Sequence, residues 1–147
     1  MNKQHRDFYQ SLRTKISDFL KEEDGTASAK YADYLLMAPD MFHLLVRLSI
    51  DPDVSQTEKA NLALAIAYFI SPVDLLPEIL VGPIGYLDDV AVATAALNGM
   101  INRTGDEIVK KHWAGDKDLL KVIKEVLGVA DSMVGSGRWK KIKDMFS

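Results

Sequence analysis

The chain has no cysteine. That excludes a disulfide framework, a thiolate nucleophile and a thiolate metal site, and it fits a reducing, cytoplasmic compartment. Proline is scarce, and three of the five prolines fall between residues 72 and 83. Long apolar runs are missing too. The longest charge-free stretches within the apolar part of the chain, 60–73 and 90–102, are 14 and 13 residues, short of the about 20 that a spanning helix needs. The first ten residues, MNKQHRDFYQ, hold no apolar run of the kind a signal peptide carries, so the expectation is a chain that is not secreted through one. The sharpest absence is of one charge sign. Residues 60–102 contain four carboxylates and not one lysine or arginine. Residues 1–59 carry a net charge of −2, residues 60–102 of −4 and residues 103–147 of +3. The overall charge of −3 argues against broad binding to nucleic-acid phosphates.

What is present is ordinary for a globular protein: 147 residues, 48% hydrophobic and 27% charged, enough to bury a sizeable core in one domain spanning 1–147. Helical periodicity dominates, without convincing alternation of period two. Phe8, Leu12, Ile16, Phe19 and Leu20 make the stripe of a first helix, with Gly25 as its C-terminal cap. Tyr31, Tyr34, Leu35 and Leu36 suggest a second helix, which Pro39 breaks or restarts. Asp51-Pro52-Asp53 reads as a turn.

Ser55-Gln56-Thr57-Glu58 has the form of a capping box, with the Ser side chain accepting from the Glu58 amide and the carboxylate reaching back. It predicts a helix over about 56–70, apolar nearly all round and therefore central. A further apolar helix is expected from about Leu87 to Asn102. Thr104-Gly105-Asp106-Glu107 reads as a second capping box, opening a short helix that ends near His112-Trp113. A long helix from near Asp116 and a glycine break at 135–137 precede the basic amphipathic tail 138–147. The fold class is all-α, a single bundle of about five to seven helices around a central apolar hairpin, 56–102.

The stretch ISPVDLLPEILVGPIGYLDD, residues 70–89, sits inside that cation-free block. Ser71-Pro72-Val73-Asp74 has an N-capping pattern, Pro77-Glu78 can open another turn, and Gly85 precedes a helix whose first turn holds Asp88 and Asp89. Carboxylates at helix starts meet unpaired amides and the positive end of the macrodipole. Amides would thus replace the missing cations, giving structural roles to Ser71, Pro72, Asp74, Pro77, Glu78, Gly85, Asp88 and Asp89. Two sharper readings stand beside this one. Asp74, Glu78, Asp88 and Asp89 could converge on Mg²⁺, Ca²⁺ or Mn²⁺ through oxygen ligands, or closely paired carboxylates could split their pKa values for acid–base work.

Ala67-Tyr68-Phe69-Ile70-Ser71-Pro72-Val73-Asp74-Leu75-Leu76-Pro77-Glu78, followed by Gly85-Tyr86-Leu87-Asp88-Asp89, resembles the signature of the YkvA-like family, domain of unknown function 1232. The resemblance covers about residues 60–100. It implies a small α-helical module, mostly bacterial, with no established activity; some relatives attach this hairpin to membrane proteins.

His43, within an apolar helical run, is expected to be partly buried and hydrogen-bonded. His112, near a helix end, should complement the dipole and pack, while His5 belongs to a polar, frayed terminus. The three histidines lack HExxH spacing, and no phosphate loop, dinucleotide motif or nucleophile elbow occurs. In the tail, Trp139, Ile142 and Phe146 fall at near-helical spacing among Arg138, Lys140, Lys141 and Lys143. Either the aromatics pack on the domain with the lysines solvated, or Trp139, Lys140, Lys141, Ile142, Lys143 and Phe146 contact an anionic membrane surface. The expected function is a non-enzymatic interaction or scaffold module with a protein partner, no cofactor and no nucleic acid. The alternative is a peripheral membrane-associated protein, and a divalent-metal site comes third. The sequence sets no oligomeric state.

Overall fold

Apolar residues three and four apart build the helices, and in the computed structural model those residues meet in one core. The structure describes residues 3–22, 32–70, 85–115 and 118–146. Among them are seven helices and no strand: α1 (Lys3–Glu22), α2 (Ala32–Ser49), α3 (Gln56–Ile70), α4 (Gly85–Thr104), α5 (Glu107–His112), α6 (Leu119–Val134) and α7 (Ser136–Phe146). The all-α bundle expected from periodicity is what is found. Every helix contributes to the same buried cluster, from Leu12 of α1 to Val109 of α5 and Trp139 of α7.

Two helices form the centre. α2 packs on α1, α3, α4 and α5, and α4 packs on α2, α3, α6 and α7. On α4 every residue from Leu87 to Leu97 is buried. The buried hydroxyl of Thr94 is satisfied within the helix by donating to the Val90 carbonyl at 2.7 Å. The expectation that α3 would be a central helix holds for its inner face, which packs on α2 and α4. It does pair with α4 as a hairpin, but Ala60, Ala63, Ala67 and Ile70 face outward. A helix rich in alanine looks apolar all round, yet alanine hides too little surface to decide which side is inside.

Pro39 neither ends nor restarts a helix, because α2 runs through it from Ala32 to Ser49. Pro39 and both its neighbours along the core side, Ala38 and Met41, are buried. Their packing outweighs the about 3 kcal/mol that an interior proline costs a helix. His5, expected in a frayed end, lies within α1 with its ring edge-on to Phe42 at 6.0 Å. The proposed cap Gly25 lies outside the described residues.

Helix ends show how the local signals play out. Ser55 caps α3 as expected, accepting from the Glu58 amide at 3.3 Å. The reciprocal half of that box is not made, since the Glu58 carboxylate turns to Arg103 instead. Thr104-Gly105-Asp106-Glu107 is not a capping box. Thr104 is the last residue of α4, its hydroxyl donating back to the Met100 carbonyl at 2.8 Å. Gly105 takes φ +91° just past the helix, where its amide closes on the Ile101 carbonyl. A C-terminal stop and an N-terminal start overlap there, and the stop claims the threonine. α6 begins at Leu119 with Asp118 as its cap, accepting from the Lys121 amide at 3.3 Å. Gly135, at φ +92°, ends α6 and leads directly into α7.

Candidate functional site

The first turn of α4 is where the unusual chemistry collects. Asp88 and Asp89 are both buried. Asp88 is paired with Arg138 of α7, whose Nη1 donates to both carboxylate oxygens at 3.2 Å. Only 3% of the Asp88 side chain is exposed, against 20% for Arg138, so the pair sits at the inner end of a guanidinium that still touches solvent. The cation absent from residues 60–102 is thus supplied from 50 positions away. Arg138, grouped by sequence with the solvated tail cations, is a partner of the acidic signature.

Asp89 differs. Its Oδ1 is buried with no hydrogen-bond partner, and burial, reinforced by the neighbouring Asp88 charge, pushes its carboxyl well above the usual range. Asp88 is paired with an arginine, while Asp89 beside it is driven toward its neutral form. At 2% exposure each, neither carboxyl is open to a substrate.

Of the other signature residues, Gly85 is the first residue of α4, while Ser71, Pro72, Asp74, Pro77 and Glu78 lie outside the described residues. The four-carboxylate metal reading can be followed at only two of its positions. There the Asp88 oxygens are engaged by Arg138, and Asp89 is buried beside it. Among the described residues no group of three or more His, Asp or Glu side chains is placed to hold a metal ion.

A second tie joins α3, α4 and the end of α7. Arg103 Nε donates to the two Glu58 carboxylate oxygens at 2.7 and 3.0 Å, and its Nη1 donates to the Phe146 carbonyl at 3.2 Å. Gly99 allows that approach, because a Cβ there would lie 2.8 Å from the Phe146 carbonyl oxygen. A third tie links the turn after α2 to α5. Asp51 Oδ2 lies 2.6 Å from His112 Nε2, and Asp51 Oδ1 accepts from the Asp53 amide at 2.7 Å. The His112 hydrogen bond, then the Asp53 amide, hold the Asp51 carboxyl below its usual value. An ionised carboxylate only accepts, so His112 Nε2 carries the proton. Lys111 adds a longer contact at 3.8 Å. His43, by contrast, is partly buried as expected, but its Nδ1 makes no hydrogen bond.

In the tail, Trp139, Ile142 and Phe146 are buried in the core, while Lys140, Lys141 and Lys143 are exposed. Lys143 lies over the Trp139 ring, 5.7 Å from its centroid. The aromatic side of α7 therefore faces the domain. No helix among the described residues is long and apolar enough to cross a membrane.

Against known proteins, the signature is the part that matches a family. Residues 58–95 match the family described as Protein of unknown function (DUF1232). That bears out the resemblance to domain of unknown function 1232, and the matched segment begins at Glu58, the buried partner of Arg103. The YkvA-like label remains an expectation. Uncharacterized protein ORF9 of Methanothermobacter thermautotrophicus is 25% identical over 121 residues, covering 82% of this chain and 83% of that one. No solved structure matches the chain at a significant level.

Sequence reasoning missed all three cross-helix ties. For the Asp88 tie a signal existed: a block with acids and no cations must find its counter-charges elsewhere if those acids are buried. Which arginine would come was not readable from spacing.

Proposed function

We propose that this chain is a non-enzymatic interaction module built on the DUF1232 segment. The buried carboxylates Asp51, Glu58 and Asp88 each engage a cationic or histidine side chain from another helix, which is the arrangement of a scaffold. The observation that carries the reading is on the surface. Leu36 and Ile50 of the α2 region are 50% and 56% exposed, although their helix is otherwise the most enclosed but one. Large apolar side chains left in water beside such a core favour a partner surface. Affinity capture with the full chain tests this. Wild type is expected to retain a specific partner that the Leu36→Glu, Ile50→Glu double variant loses at unchanged melting temperature. Equal capture by both would refute the reading.

A second reading has one observation in its favour. Lys140, Lys141 and Lys143 are exposed together on α7, and such a cluster attracts anionic headgroups by about 1 kcal/mol per charge. With Trp139, Ile142 and Phe146 buried, contact would be electrostatic and shallow. Co-sedimentation with phosphatidylserine vesicles, abolished by salt and by replacing the three lysines with glutamate, is the expected outcome for this reading. Absence of binding at low salt removes it.

A further inference from the structure

α4 is closed along its first half and opens along its last two turns, where Asn98 and Gly99 are half-buried and Asn102 and Arg103 exposed. With Ala95, these residues fall on one helical face. On α7, Trp139, Lys143 and Phe146 do the same at intervals of four and three. Where the two faces meet beside Leu127 of α6, they border a hollow of about 250 Å³. Its apolar lining includes Trp139 and Phe146, whose remaining surface is buried in the core.

The charge around this hollow has one sign. Lys143 stands over the Trp139 ring at 5.7 Å, and the Arg103 guanidinium lies against Gly99, where a Cβ would be 3.1 and 3.2 Å from its two Nη atoms. Asn98 and Asn102 add neutral amides, and among the described residues no acidic side chain lines the hollow. Arg103 is not used up by its ties. Its Nε serves Glu58 and its Nη1 the Phe146 carbonyl, which leaves the Nη2 group, on a side chain still 37% exposed. Two cations beside an apolar hollow, without an acid in its lining, attract an anion that carries an apolar body. The space is below drug size and fits a molecule of roughly ten non-hydrogen atoms.

We propose that the hollow between α4 and α7 binds a small monocarboxylate, its charged end held by Arg103 and Lys143 and its apolar body against Trp139 and Phe146. A guanidinium and a carboxylate match in charge and in planar geometry. A dianionic phosphate would give up more hydration against the same apolar lining, and a cationic ligand would meet two like charges. Roughly ten atoms at ordinary ligand efficiency give a dissociation constant on the order of 0.1–1 mM. The site goes beyond the interaction-module reading and shares no residue with the Leu36 and Ile50 surface, so either can fail alone. It shares Lys143 with the vesicle reading but does not use Lys140 or Lys141, and that difference separates a built pocket from general attraction of anions to α7.

Proton–nitrogen correlation spectra of the full chain test this, titrated with benzoate and octanoate and, as neutral counterparts, benzamide and octanamide. The chain has two indole N–H groups, Trp113 and Trp139, which Trp113→Phe tells apart. The Trp139 indole and the Gly99 amide are expected to move together and saturate with a midpoint on the order of 0.1–1 mM acid, while the Trp113 indole stays in place. Either acid alone supports the site, and the tighter of the two gives the shape of its apolar body. The neutral amides should need at least about tenfold more. Lys143→Gln, which removes a cation, and Asn102→Asp, which sets a like charge beside the carboxylate, should each raise the midpoint about threefold or more. Both positions are exposed, so one variant decides if the other does not fold. Lys140→Gln should leave the midpoint within about twofold. No saturable movement of the Trp139 indole up to about 10 mM of either acid overturns the proposal. So does binding of the amides as tight as that of the acids, or a Lys140→Gln loss equal to that of Lys143→Gln.

Discussion

At Asp89, burial and the adjacent Asp88 charge act in the same direction, and both raise the carboxyl above its reference value of 3.8. A group whose folded value is raised binds its proton more tightly in the native state. Its contribution is therefore full below 3.8 and is lost as pH rises through the folded value. Asp89→Asn, which imitates the neutral form, is expected to raise the melting temperature at pH 7 by a few degrees. The gap to wild type should narrow toward pH 4; no gain at pH 7 would contradict the account. Asp51 has the opposite sign. Its carboxyl is held below 3.8 by His112 and the Asp53 amide, so its contribution is present above that reference and lost as pH falls through the lower folded value. His112→Ala should flatten the acid limb of a urea-midpoint profile below about pH 5 while leaving the alkaline side parallel to wild type. Little of this was legible from the sequence. Asp88 and Asp89 are identical letters side by side, and what separates them is an arginine 50 residues on and the direction in which each side chain leaves the helix.

Elements were easier to read than their partners. The α3 span of 56–70 follows from its capping serine and its apolar run, and the structure places it at Gln56–Ile70. Such signals lie within one turn of the residues they govern. Pro39 and Thr104 were misjudged because a local signal competed with packing in one case and with an adjoining helix end in the other. α7 is the element on which most depends. It buries Trp139, Ile142 and Phe146 and brings Arg138 to Asp88. Arg138→Ala should cost about 2–3 kcal/mol in urea unfolding, the lower side of what breaking a buried pair costs because the guanidinium is partly exposed. Arg138→Lys should recover part of that. Trp139→Ala should cost about 3–5 kcal/mol through the cavity it leaves. If both substitutions fall within about 0.5 kcal/mol of wild type, as surface changes do, α7 is not docked as described.

For the molecule as a whole, the buried cluster runs through all seven helices, and a shared core couples their unfolding. Far-ultraviolet circular dichroism and the fluorescence of Trp113 and Trp139 are expected to follow one coincident thermal transition. Two separated transitions would mean that the α3–α4 hairpin and the C-terminal helices are distinct units. The cation-free block makes sense at this scale. α4 is enclosed by α2, α3, α6 and α7, so a lysine or arginine along its middle would have to be desolvated there. Its acids lie in its first turn, where Arg138 of α7 reaches Asp88, and its one arginine, Arg103, lies in its last turn and pairs with Glu58 of α3.

By itself the sequence determined the all-α class, most helix spans, the presence of the DUF1232 signature and the burial of its apolar faces. Those properties follow from periodicity and from caps that act over three or four residues. Only the tertiary structure decided that α2 and α4 form the centre, that Arg138 and Arg103 answer the buried acids, and that Leu36 and Ile50 are left facing water. Such outcomes depend on which surfaces meet across 45 or more positions of chain, and no local spacing encodes that choice.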